Sequence, residues 1–241
     1  MSIIGSVKSL WFYPFSLTPK TQFNRKHFFL SFGDAILFLF QEKNVARDDY
    51  ILLPNFFCQA TLVYLARYPK PIFYRINDDF TVDKASFFEQ IKAYNPRVII
   101  QYSLLGFFLD SAEREALKSL CGPETIIIED FASRILLPSS FEPVHDAHYA
   151  IDSIRKHCSM LGSHIINYEG DGRGAKTLNW YKIQCHTYKF FQNLCYFFAF
   201  ILGSKKLFQL GYSSFLKLDD IIGEPERPVR GSFLSYHLYN F

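Results

Sequence analysis

Two short apolar runs, residues 97–102 (RVIIQY) and 125–128 (TIII), constrain this chain more than any other feature. Neither alternates polar with apolar, so a strand built from either must be covered on both faces. The text around them supplies the covering helices. Residues 34–43 (DAILFLFQEK) read as a helix, and residues 50–53 as a strand closed by Pro54. Residues 59–68 form a second helix and 71–76 a second strand. Asp83 starts a third helix running to Tyr94, because an Asp side chain accepts the free amides of a first turn. Residues 111–120 form another helix, opened by the serine cap Ser111. Strand–helix alternation with short connections implies right-handed crossovers and a mostly parallel sheet. The expected fold class is α/β, a three-layer α/β/α arrangement.

The 241 residues suffice for one large α/β domain, or one domain with an appendage. A hydrophobic fraction of 49% and 27 phenylalanines exclude a disordered chain. The formal charge of +3 is spread without a tract, which argues against a nucleic-acid partner. Five cysteines stand apart with no CxxC, and the start MSIIGSVKSLWFYPF lacks the layout of a signal peptide. Reduced thiols and a cytoplasmic location are the expectation. His145, His148, His157 and His164 with Cys158 lack the paired spacing of a zinc site, so no metal is expected. Residues 178–203 read as a largely helical, aromatic-rich segment, and the tail from Ser204 has weak periodicity. That aromatic helix suits a core or dimer contact better than a membrane; association with a membrane surface is the weaker option.

In parallel sheets of this kind, ligands gather at the carboxyl ends of the strands. The run IIIEDFAS delivers Asp130 to such an end, and SIRK delivers Lys156 after a second extended run. A strand-end acid followed by a lysine suits a pyridoxal phosphate (PLP) site, where a lysine holds the cofactor aldehyde and an acid partners the pyridine nitrogen. The plainer readings are a capped turn at Asp130 and a solvated surface lysine at Lys156.

The motifs extend the pattern. ILLPNFFCQATL, YPKPIFYRINDDFTVDKASFFEQI, RVIIQYSLLGFFLD, IIIEDFAS and DAHYAIDSIRK follow one another between about residues 30 and 170. In this order they resemble the segments of the DegT-type aminotransferases, PLP-dependent enzymes of fold type I that aminate keto sugars on nucleotide carriers. The resemblance implies a PLP-dependent transferase large domain over residues 31–176, after an N-terminal extension (1–30). A helical segment (177–241) follows, with the family's small domain incomplete or absent. It makes Lys156 the catalytic Schiff-base lysine and Asp130 the partner of the pyridine nitrogen. It makes Ser153 a phosphate contact, Gly33 part of the phosphate-receiving turn, and Phe57 or Cys58 the residue stacked on the cofactor ring. Arg155 supplies positive charge beside the lysine. The implied partners are a second copy or a related chain, an amino donor such as glutamate and a nucleotide sugar, with no nucleic acid and no membrane.

The chain departs from the family at Phe32-Gly33-Asp34, where an acid replaces the Ser/Thr of the phosphate turn, and at Ser133, where the family has histidine. These departures support the rival reading, a catalytically degenerate member kept as a binding or heteromeric partner.

Overall fold

In a computed structural model of the chain, the residues described are 27–58, 61, 62, 65, 69–102, 109–132, 148–153, 155, 161–166, 168, 170, 179–222 and 228–231. Local sequence explains most of the elements. Strand β1 is Phe28–Phe29, helix α1 Phe32–Glu42, strand β2 Tyr50–Pro54 and strand β3 Lys70–Tyr74. Helix α2 spans Lys84–Tyr94, with Asp83 as its N-cap accepting the Ser86 amide. Strand β4 is Val98–Tyr102. Helix α3 is Ser111–Leu120, and its cap lies one residue earlier than the serine-cap reading places it. Asp110 is the cap, and it forms a capping box with Glu113. Strands β5 (Ile126–Phe131), β6 (Tyr149–Asp152) and β7 (Ser163–Ile166) follow. Helices α4 (Asn179–Leu202) and α5 (Lys205–Ile221) come after them.

The chain divides into two compact units, and β7 is split between them. The sheet unit comprises residues 36–152 and 165–170. Its strands run in the order β7-β6-β5-β4-β2-β3, with β2 to β6 mutually parallel and β7 antiparallel to β6. Register aligns Leu52 with Ile99 and Ile99 with Ile127, so their side chains share one face. With Phe87 and Ile91 of α2 and Leu117 of α3 they form one core cluster. Ile51, Val98, Ile100 and Ile128 are equally buried at 0% exposure, so the strands are covered on both faces as their composition requires. The architecture is α/β around a mostly parallel sheet.

The second unit comprises residues 1–35, 153–164 and 171–241. Here β1 pairs antiparallel with the first half of β7, Phe28 opposite His164 and Phe29 opposite Ser163. A hydrophobic cluster joins Leu30, Leu161, Cys185, Leu218 and Val229. Helices α4 and α5 form an antiparallel-connected hairpin through Gly203, at φ +60°, and Ser204, whose hydroxyl caps α5 at the Leu207 amide. The helix α5 corrects the reading of the tail as weakly periodic. Its buried face carries Gly211, Ser214 and Leu218, so small residues hide the period. A Cβ at Gly211 would come within 2.8 Å of the Tyr196 ring, so glycine is what lets α5 lie close against α4.

Candidate functional site

The connections of the sheet unit set where a ligand can gather. From β2 the chain goes to β3 on one side, and from β3 it returns to β4 on the other side of β2. The strand order therefore switches between β2 and β4, and binding crevices form at the carboxyl ends on either side of such a point. Strands β2 and β4 pair at Ile51–Val98 and Leu52–Ile99, and β4 then runs three residues further. Its backbone groups beyond that point are taken up by a side chain from β3. The Tyr74 hydroxyl donates to the Ile100 carbonyl at 3.0 Å and accepts the Tyr102 amide at 3.0 Å. Complete burial, together with the charge of Asp130, holds this phenol far above its ordinary pKa.

Asp130 stands opposite Tyr102 in the β4–β5 register. One carboxylate oxygen accepts the Ala132 amide at 2.8 Å, so the residue does cap the following turn. Capping and ligand contact are compatible, since a carboxylate has two oxygens and about four lone-pair sites. Its negative charge reaches the Tyr102 phenol. Burial first, and Asp130 second, push that phenol up to about 12, so Tyr102 stays a proton donor at neutral pH. The Tyr102 hydroxyl is buried and has no hydrogen-bond partner among the described residues. A buried, unsatisfied donor beside a carboxylate is a costly arrangement unless a ligand completes it.

Aromatic side chains gather at this end of β4. The Phe56 ring, 57% exposed, meets the Tyr102 ring edge-to-face at 6.3 Å and the Phe80 ring at 5.8 Å. Of the two residues singled out for stacking, Phe57 is half-buried and Cys58 is exposed. Phe56 is the residue whose contact with Tyr102 is seen. Tyr74, Tyr102 and Phe56 escape sequence reasoning because two of them look like ordinary strand residues. The usable signal was position, since Tyr74 and Tyr102 each end a parallel strand.

The other candidates belong to the second unit. Gly33 lies in the first turn of α1 and is buried. The Ser31 hydroxyl accepts the Asp34 amide at 3.1 Å and donates to an Asp34 carboxylate oxygen at 2.6 Å. The other Asp34 oxygen accepts the Val229 amide at 2.9 Å. The amino end of α1 is thus served by the chain's own hydroxyl and carboxylate, and Asp34 is only 2% exposed. A phosphate there would face a buried negative charge. Ser153, just after β6, is buried. Arg155 does not stand as spare positive charge: its guanidinium pairs with Asp219 at 2.7 Å. Lys156 lies outside the described residues, as do Ser133, His145, His157, Cys158 and the glycine-rich turn. Among the described residues no three His, Cys, Asp or Glu side chains are grouped to hold a metal. Cys58, Cys121, Cys185 and Cys195 are free thiols.

No protein-family model matches the sequence, and no curated protein does. Solved structures of sugar aminotransferases and related enzymes are similar. A DegT DnrJ EryC1 StrS aminotransferase from Brucella abortus is 17% identical over 60% of this chain and 42% of its own, at a TM-score of 0.47. NtdA from Bacillus subtilis, solved with its cofactor PMP bound, is 21% identical over 60% of this chain and 33% of its own, at 0.48. DesV of S. venezuelae is 17% identical over 60% and 40%, at 0.45. This chain spans less than half the length of each.

Proposed function

We propose that the chain is an aminotransferase-like, PLP-binding protein acting on a keto sugar carried by a nucleotide, with glutamate or a similar amino donor. The observation that carries the reading is the end of β5, where the Asp130 carboxylate stands opposite Tyr102, whose buried hydroxyl has no hydrogen-bond partner among the described residues. That pair suits the ring end of the cofactor. Asp130 accepts a ring N–H and, kept ionised, keeps that nitrogen protonated, while Tyr102 donates to an oxygen on the ring or the substrate. Phe56 offers an aromatic face beside them. PLP, when bound, supplies an electron sink for a carbon that loses its proton. Lys156 is assigned by the motif resemblance as the residue that carries the cofactor. Its amine would then move that proton as general acid and base. The phosphate end is less well served. Gly33 opens a turn filled by Asp34, which leaves Ser153 as the expected contact. Assembly with a second copy, or with a related chain, belongs to the same proposal.

Asp34 also favours a second reading, that of a degenerate member which folds without turning over and acts as a binding partner. Titration with PLP separates the two. The first reading expects a visible absorption band with the wild-type chain, lost in Lys156→Ala and weakened in Asp130→Ala. A folded protein that develops no band, or an unchanged band in Lys156→Ala, selects the second. Asp34→Ser, which restores a Gly-Ser turn, is expected to tighten PLP binding if the phosphate does seat at α1.

A further inference from the structure

Helix α4 buries Cys185, Cys195, Tyr196 and Ala199 and still shows a second apolar face to solvent. Trp180, Ile183, Phe190, Leu194, Phe198 and Ile201 are all exposed, from 36% at Leu194 to 78% at Trp180. Their spacing averages about 3.5 residues, which lays them in one straight stripe along the helix. The polar side chains Lys182, Lys189, Gln192 and Asn193 of the same helix are buried. A patch of this size is unusual on a protein surface unless something covers it.

Charge identifies the covering partner. Residues 179–221 hold five lysines against Asp219 and Asp220, an excess of three that equals the excess of the whole chain. The basic excess therefore lies in this hairpin, and the remainder of the chain carries no formal net charge. Lys205, Lys206 and Lys217 on α5 are exposed. A second copy of the hairpin would bring three exposed lysines of α5 against the same three, with Asp220 as its exposed acid. A nucleic acid would satisfy the lysines and leave Phe190 and Ile201 in water. An anionic lipid surface satisfies both. Its phosphates and carboxylates attract the ammonium groups, and the boundary with the acyl chains takes up the aromatic and aliphatic side chains. Among the described residues, no helix is long and apolar enough to cross a membrane, so the contact is one of lying on the surface.

We propose that the α4–α5 hairpin docks the protein on an anionic bilayer surface, with the α4 stripe at the headgroup boundary. This departs from the expectation that no membrane is a partner. The test uses the full chain carrying Trp11→Phe, which leaves Trp180 as the sole tryptophan. Phosphatidylcholine vesicles with and without phosphatidylserine are the probes. The protein should float with the phosphatidylserine vesicles, and Trp180 emission should shift to the blue. Lys205→Gln with Lys206→Gln should weaken partitioning roughly thirtyfold, the factor expected for two lysines at an anionic surface. Phe190→Ser with Ile201→Ser should weaken it at least about tenfold, with helical circular dichroism unchanged. Three results would overturn the proposal. They are no flotation with either vesicle, flotation without a Trp180 shift, and flotation indifferent to both pairs of substitutions. A lipid-free dimer dissolved by Phe190→Ser with Ile201→Ser, without vesicle binding, would assign the stripe to a second copy instead.

Discussion

Leu117 and Leu202 are the same side chain near the ends of two helices, in opposite surroundings. Leu117 on α3 is 0% exposed, within the cluster that fills one face of the parallel sheet. Leu202 on α4 is 66% exposed, beside Ile201 and Phe200, which are also in water. The sheet unit buries what its sequence marks as apolar. The hairpin buries lysine, glutamine and asparagine beside Cys185 and Leu218, and shows Phe190, Phe191, Phe198, Phe200 and Phe208. Periodicity identifies a helix and a face, but it does not say which way the face looks.

This contrast is open to direct attack through stability. Leu117→Ala should destabilise the protein by about 2–5 kcal/mol, the range for leucine deletions in a packed core. Leu202→Ala should stay within about 0.5 kcal/mol, as for surface substitutions. Urea unfolding of the two variants checks both, and equal losses would remove the distinction between the regions. Asp34→Ala comes next. It strands the Val229 amide and the Ser31 hydroxyl, and should cost about 3 kcal/mol. A neutral Asp34→Ala would mean that the amino end of α1 is not held by its own carboxylate.

The two strand-end tyrosines give a finer comparison. Tyr74→Phe loses one donated and one accepted hydrogen bond to β4 and should cost about 1–3 kcal/mol. Tyr102→Phe removes a hydroxyl without a described partner, so stability should hold or rise while PLP affinity falls. If Tyr102→Phe destabilises as much as Tyr74→Phe, Tyr102 is structural and the crevice loses its donor. The smallest effect concerns His148, whose Nδ1 accepts the Ile127 amide at 3.1 Å. Desolvation, and then the Lys43 ammonium, lower its pKa below 6.5. The unfolded chain therefore takes up this proton first. The contribution is complete above pH 6.5 and is lost as the pH falls through the folded value. Urea midpoints of wild type and His148→Gln should converge on acidification, whereas parallel curves would contradict this role.

The sheet was readable because β-branched runs such as VII and III report burial on both faces, and Asp83 was readable because a cap acts within its own turn. Asp110 displaced Ser111 as a cap because a capping box depends on Glu113 as well as on the first residue. Helix α5 was hidden for a physical reason: close helix packing put Gly211 and Ser214 where a pattern search expects leucine. At the site, Asp130 was legible from its place after an apolar run. Tyr74 and Tyr102 were not, because their roles come from a strand switch and a side chain reaching past β2 to β4. Asp34 was legible as a departure, but its bond to the Val229 amide depends on contact across 195 positions of sequence.

The proposed function has PLP held by Lys156, with Asp130 at the ring. The most direct measurement is borohydride reduction of the PLP-treated full chain, followed by peptide mapping of the labelled lysine. A single cofactor adduct is expected on the peptide containing Lys156, with less label in Asp130→Ala. Label scattered over surface lysines, or no label on that peptide, would contradict it.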